Sequence, residues 1–271
     1  MSASVFNELR RLAYDEAGIL LRENKQSLVS ARIAKRMREC GLKSEREYLD
    51  HLQGDGSGQE LVHFLDAIST NFTSFFRESA HFELLTAEVK RWLEQGRREL
   101  RLWCAAAATG EEPYSLAMTL SEAVASEPVS WRLLASDISV RALRTAAAGV
   151  YPESRLAQVP DALRRKYWRA NGTQGGEPGF CAAGELRSRI LFKRVNLATA
   201  PFPLRGELDA VFCRNVMIYF DNAVRQRLVS EMERLLRPGG LLVVAHSETL
   251  NGIRSGLKAV MPSVYRKGAA A

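Results

Sequence analysis

The chain has 271 residues, 46% hydrophobic and 25% charged, a composition that excludes disordered and fibrous classes. Its net charge of +7 favours an acidic partner without choosing among nucleic acid, membrane surface and protein. Four scattered cysteines without a C-x-x-C pair, and four histidines at no metal-ligand spacing, argue for a reducing compartment and for neither disulfides nor a metal.

The opening MSASVFNELRRLAYDEAG carries acidic residues where a signal peptide needs an apolar core. No apolar run approaches the roughly 20 residues of a membrane-spanning helix, so a cytoplasmic protein with no direct membrane insertion is expected. Residues 1–70 read as a helical domain. NELRRLAYDEAGILL has helical spacing and a stop at Gly18; a second helix runs from Asn24 to Cys40 and closes at Gly41. Ser44 and Glu47 have capping-box spacing and open a third helix through Leu52. QGDGSGQ, residues 53–59, is a turn, and ELVHFLDAIST a fourth amphipathic helix. Residues 71–99 form a linker and lead-in helix.

From about Leu100 short apolar strands alternate with helices. RLWCAA is a strand, PYSLAMTLSEAVA a helix with proline in its first turn, WRLLASD a strand and SVRALRTAAAG a helix. LDAVFCRN is a strand, NAVRQRLVSEMERLL a helix that RPGG ends, and LLVVAHS the next strand. The alternation predicts βαβ units and a mostly parallel sheet over residues 100–271. Between Tyr151 and Leu197 the rhythm breaks; a small antiparallel insertion is expected there, about 152–195, with RILFKRVNL as its last β-piece.

In doubly wound sheets the ligand lies over the C-terminal strand ends. The first strand ends in CAAAATGEEP, whose small residues admit a ligand close to the backbone. Glu111 and Glu112 follow; they would repel a pyrophosphate but suit an ammonium group. Asp137 ends the second strand, placed to accept hydrogen bonds from ribose hydroxyls. A nucleotide-like ligand with a cationic amine and no phosphate describes S-adenosylmethionine. NAD is the competitor, but G-x-G-x-x-G is absent. Close packing and helix N-terminal charge would place the same residues without a ligand.

The blocks TNFTSFFRE (70–78), CAAAATGEEPYSLAMTL (104–120), ASDIS (135–139), FCRNVMIYFD (212–221) and LRPGGLLVVAHSE (236–248) resemble the CheR chemoreceptor methyltransferases, in the family's order. Ala108 departs from the serine common there. The resemblance implies an α/β fold: a Rossmann-like S-adenosylmethionine-dependent methyltransferase domain with a small antiparallel β-subdomain inserted, preceded by an all-α domain. It also implies roles. Asn71, Thr73 and Arg77 contact the cofactor from the linker, Glu112 takes its ammonium and Asp137 its ribose. Asn196 and Leu197 lie near the adenine, Arg214 and Asn215 line the pocket, and Arg77 and Tyr219 help the chemistry. Read alone, Asn71 and Thr73 would serve as helix caps, Arg77 as a snorkelling surface residue and Tyr219 as a half-buried aromatic. His246 is expected to be structural.

The second helix offers a docking face. Lys25, Arg32, Lys35 and Arg36 share one arc, and from Arg22 to Arg38 six basic residues against one acid give +5. By itself this is a solvated helix face; the resemblance implies that it meets the acidic methylation helices of chemotaxis receptors, whose glutamates become methyl esters. The same resemblance implies that the β-subdomain grips a receptor's C-terminal peptide. A monomer without metal is expected. A nucleic-acid methyltransferase is the rival reading, but the amine-methylating Asn/Asp-Pro-Pro-aromatic motif is replaced here by Cys-Arg-Asn-Val. A non-catalytic cofactor sensor is the other; the presence of both Arg77 and Tyr219 speaks against it.

Overall fold

The computed structural model describes residues 1–268. Four helices open the chain: α1 (Ala3–Ala17), α2 (Gln26–Cys40), α3 (Glu45–Gly54) and α4 (Gln59–Ile68). Their apolar stripes converge on one core containing Leu9, Ile33, Tyr48, Leu49 and Phe64. Gly18 and Gly41 stop α1 and α2 in the left-handed region, at φ 65° and 70°, where a side chain would be strained. Ser44 caps α3 by accepting the Glu47 N–H at 3.2 Å, while the Glu47 carboxylate reaches one residue further back, to the Lys43 N–H. That is the expected capping box, shifted by one donor.

A linker leads into α5 (Ala80–Glu94), which buries Phe82, Leu85, Val89 and Trp92 against the second domain. There β1 (Glu99–Cys104), α6 (Glu111–Ala123), β2 (Ser130–Asp137) and α7 (Val140–Ala148) make the first βαβα run. The insertion follows: β3 (Val150–Pro152), α8 (Asp161–Tyr167), β4 (Trp168–Gln174), β5 (Glu177–Ala182) and α9 (Gly184–Arg187). Then come β6 (Ile190–Arg194), β7 (Leu208–Phe212), α10 (Asn222–Leu235), β8 (Leu236–Val243), β9 (Leu257–Met261) and β10 (Val264–Lys267).

The large sheet has the order β6-β2-β1-β7-β8-β10-β9. β6, β2, β1, β7 and β8 run parallel, and β10 is antiparallel to both its neighbours. β7 is buried at every position and β1 from Leu102 to Cys104, as fits strands covered on both faces near the cleft. Strand order reverses between β1 and β7, so the crevice beyond their C-terminal ends is where a ligand belongs.

Two expectations need correction. RILFKRV is not part of the flap: β6 pairs in parallel with β2 at the edge of the large sheet, and the antiparallel three-stranded sheet is β3-β5-β4 alone. Nor does RPGG end a helix before the next strand. α10 stops at Leu235 and RPGG lies inside β8, where the pairing with β7 slips between Leu208 and Ala210. Gly239 there has φ 77°, and a Cβ on Gly240 would stand 3.0 Å from the Leu208 carbonyl, so the slip requires glycine.

Candidate functional site

Over the C-terminal ends of β1, β2 and β7 lies a cleft of about 860 Å³, counting its open mouth. Its floor is the loop after β1, where Ala105, Ala106 and Ala108 present backbone and no bulk. Ala17, Ile19 and Ile68 of the helical domain line the other side. The residues to which the family resemblance gives a cofactor or chemical role all line this one cleft: Asn71, Thr73, Arg77, Glu112, Asp137, Asn196, Leu197, Arg214, Asn215 and Tyr219.

Asp137 closes β2 and is 9% exposed. One carboxylate oxygen accepts the Ala108 N–H at 2.8 Å and the other the Ser139 N–H at 2.9 Å, which fixes its orientation. Burial pushes its pKa up, the backbone donors pulling only part of the way back. Glu112, in the first turn of α6, is 2.8 Å from Nη1 of Arg214. Burial also drives its pKa up, in spite of that guanidinium, so the carboxylate is under-compensated. Both acids would gain from a ligand that brings donors or positive charge.

Glu111, its neighbour, does not share the task. It turns away to accept the Thr109 hydroxyl at 2.6 Å and to pair with Arg155 of the insertion at 3.2 Å. The two carboxylates expected together therefore serve different halves of the domain. Consecutive residues on a helix point about 100° apart, and only one can face the cleft.

Arg214 follows β7 with its side chain fully buried. It bridges Glu112 and Glu78, the latter at 3.1 Å, and also donates to the Arg77 carbonyl. Glu78, at φ 58°, further accepts the His246 N–H at 3.2 Å. Its importance is missed by the sequence reading, although it directly follows Arg77 in the FFRE block. Glu248 is missed too: it accepts the N–H groups of Asn215 and Ala245 at 2.9 and 3.0 Å, and so holds Asn215 at φ 57°. Arg77 itself is half-buried, with a loose contact to the Phe72 carbonyl at 3.4 Å, which leaves its guanidinium able to take an anion.

The helical domain is fastened here. The Leu20 N–H donates to the Tyr219 carbonyl at 2.9 Å, and the Asn196 side chain to the Glu16 carbonyl at 2.6 Å. Tyr14 donates to Asp221, the N-cap of α10.

Glu78, His81 and His246 gather with ligand-type atoms within 4.8 Å of one another, a grouping that spacing along the chain conceals. Burial holds the His81 pKa down to about 4, with the Arg214 charge acting the same way, and the guanidinium beside Glu78 opposes a metal cation. The His246 and His81 rings meet edge to face, with centroids 4.8 Å apart.

Of the expected docking residues, Lys25 and Lys35 are exposed and form no ion pair among the described residues. Arg32 instead donates to the carbonyls of Ile68 and Ser69 at 2.7 and 3.0 Å and so pins the linker. Arg36 is paired with Glu60 at 2.6 Å and with Glu39. Arg32, Lys35 and Arg36 stand on α2 as expected, whereas Lys25 lies in the short turn before it, and Arg36, paired with Glu39 on α2 and Glu60 on α4, is no free docking charge.

Two family models cover the chain: the CheR methyltransferase all-alpha domain matches residues 4–69, and the CheR methyltransferase SAM binding domain residues 71–265. The chain is similar to chemotaxis protein methyltransferase 2 of Pseudomonas aeruginosa, 42% identical over 96% of this chain and 91% of that one. It is 38% identical to the chemotaxis protein methyltransferase of Escherichia coli, over 93% and 86% respectively. To that of Borreliella burgdorferi it is 35% identical, over 96% and 93%. Both halves and the cleft between them fall within these matches, and the chain belongs to the CheR family of S-adenosylmethionine-dependent methyltransferases.

Proposed function

We propose that this enzyme transfers the methyl group of S-adenosylmethionine to glutamate carboxylates of chemotaxis receptors, forming glutamyl methyl esters. The observation that carries the cofactor assignment is the single cleft in which Arg77, Glu112 and Asp137 converge over the strand ends. Glu112 fits the ammonium of the methionine moiety, Arg77 its carboxylate or that of the incoming glutamate, and Asp137 a ribose diol. Asn196 and Leu197 would flank the base.

S-adenosylmethionine supplies an electrophilic methyl on sulfonium sulfur. A glutamate side chain, with an ordinary pKa of about 4.3, is already an anion near neutral pH and needs no general base. The protein's part is alignment and exclusion of water. Tyr219 walls the cleft beside Asn215 and Val216, and Arg77 stands at the linker where substrate would enter. The names of the relatives support a chemotaxis substrate.

The test is incubation with methyl-labelled cofactor and a receptor cytoplasmic domain, followed by base treatment. Label released as volatile methanol supports the ester. Base-stable label, or label found only on added RNA, would sink it.

A further inference from the structure

A second hollow lies on the outer surface, between the two domains. Its floor is one face of α4: Gln59, Val62, His63, Asp66 and Ala67 recur at helical spacing. One wall is α2, through Arg32, Lys35 and Arg36; the other is α7 of the sheet domain, through Val140, Arg141 and Arg144. The hollow holds about 1960 Å³ counting its open mouth, and Ser69 and Asn71 line both it and the cofactor cleft. A trough lined by three helices, with Val62 and Ala67 set among the polar residues of its floor, has the form that receives a fourth, amphipathic helix.

Its charge is lopsided. Arg36 is neutralised by Glu39 and Glu60. Arg32 is bonded only to neutral acceptors, and Lys35, Arg141 and Arg144 have no ion pair among the described residues. Those four cations face one other carboxylate, Asp66, which accepts the Arg141 N–H at 3.3 Å and leaves its second oxygen buried without a partner. Arg141 and Arg144 also sit badly for α7 itself. Cations in the first turns oppose the positive end of the helix dipole, and this helix has no acid in its first turn to offset them. Residues that cost local stability and stand unpaired on a concave rim are placed for something outside the chain.

We infer that this trough seats an acidic helix of the protein substrate, clamped between Lys35 on α2 and Arg141 and Arg144 on α7, with its target glutamate entering the cleft past Ser69 and Asn71. The inference rests on the receptor-methylation reading and adds the second wall, which belongs to the methyltransferase domain. Lys25 lies outside the trough. A protein helix, acidic overall, can still set a basic or neutral residue against Asp66 on the floor and Glu39 on the rim, which a uniformly negative phosphate backbone cannot, so a protein helix fits better than nucleic acid.

The test is the double variant Arg141→Glu, Arg144→Glu, assayed with a receptor cytoplasmic fragment at low salt. KM for the fragment should rise tenfold or more, with kcat and the affinity for S-adenosylhomocysteine within twofold of wild type. The melting temperature should hold or rise, because both changes suit the dipole. The control Lys90→Glu, Lys258→Glu, which makes the same charge change on exposed residues outside the trough, should leave KM unchanged. A wild-type KM in the α7 variant, while wild type methylates the fragment, overturns the trough alone. An equal rise in the control overturns it in favour of bulk charge. No methylation of any receptor fragment by wild type would remove the receptor reading, and this inference with it.

Discussion

Arg36 in the helical domain and Arg214 in the sheet domain each stand between two glutamates, and the two clusters are satisfied to very different degrees. Glu60 receives two bonds from Arg36, the Tyr48 hydroxyl at 2.9 Å, and the backbone N–H from its own residue is taken by Asp55. Burial raises its pKa, yet those bonds and the Arg36 charge outweigh burial and hold it below the ordinary carboxylate range. Glu112 has one bond from Arg214 and a weak thiol contact from Cys104, and burial wins. The first cluster is complete within the fold. The second keeps a carboxylate short of positive charge on the wall of a cleft, which is the condition a cationic ligand relieves.

The largest test of this contrast is Arg214→Met. It leaves Glu78 and Glu112 buried without their cation, and a loss of about 3–5 kcal/mol in urea unfolding is expected. A loss below about 1 kcal/mol would mean that water already reaches the pair.

Glu112→Gln separates binding from folding. Calorimetric affinity for S-adenosylhomocysteine should fall by about 1.5–3 kcal/mol, while stability stays level or rises because a raised-pKa carboxylate is removed. Unchanged affinity would move the ammonium site elsewhere in the cleft. Arg36→Met should do the reverse. It should cost about 1–2 kcal/mol of stability, since its side chain is only 18% exposed, and leave cofactor affinity alone.

Acid titration gives the smallest effect and the sharpest ordering. The carboxylates of Glu112 and Asp137 have raised pKa values, so they burden the fold above those values, and the burden lifts as pH falls through them. Cofactor affinity should drop over that same range as the anions are lost. The Glu60 contribution, from a depressed pKa, is full above the unfolded value and disappears only as pH falls through the lower folded one. Affinity measured by calorimetry should therefore fail at higher pH than helical-domain circular dichroism. Coincident losses would erase the distinction between the clusters.

Much of this arrangement was legible along the chain because it is local. Gly18, Gly41 and Ser44 announce helix ends through backbone chemistry that needs no distant partner. The cleft residues were legible as blocks, each at a strand end or in the linker. Long-range pairing hid the rest. Arg36 looks like a free charge until Glu60 is folded against it, and β6 looks like flap until β2 supplies its hydrogen bonds. RPGG has the composition of a helix stop, but the slipped register with β7 makes it strand. The role of Glu78 depends on Arg214 and His246, both far along the chain.

The helical domain touches the same cleft that the strand ends form, through Ala17, Ile19 and Ile68. A ligand seated there would touch both domains, its polar anchors coming from the sheet domain and an apolar wall from the helical one. By mass action, free ligand at a hundred times its dissociation constant adds about 2.7 kcal/mol to whatever state binds it. That increment belongs to the docked arrangement as a whole. Saturation with S-adenosylhomocysteine should therefore fuse any separate melting of helices and sheet into one transition, making the cofactor a thermodynamic tether between the domains as well as a methyl donor.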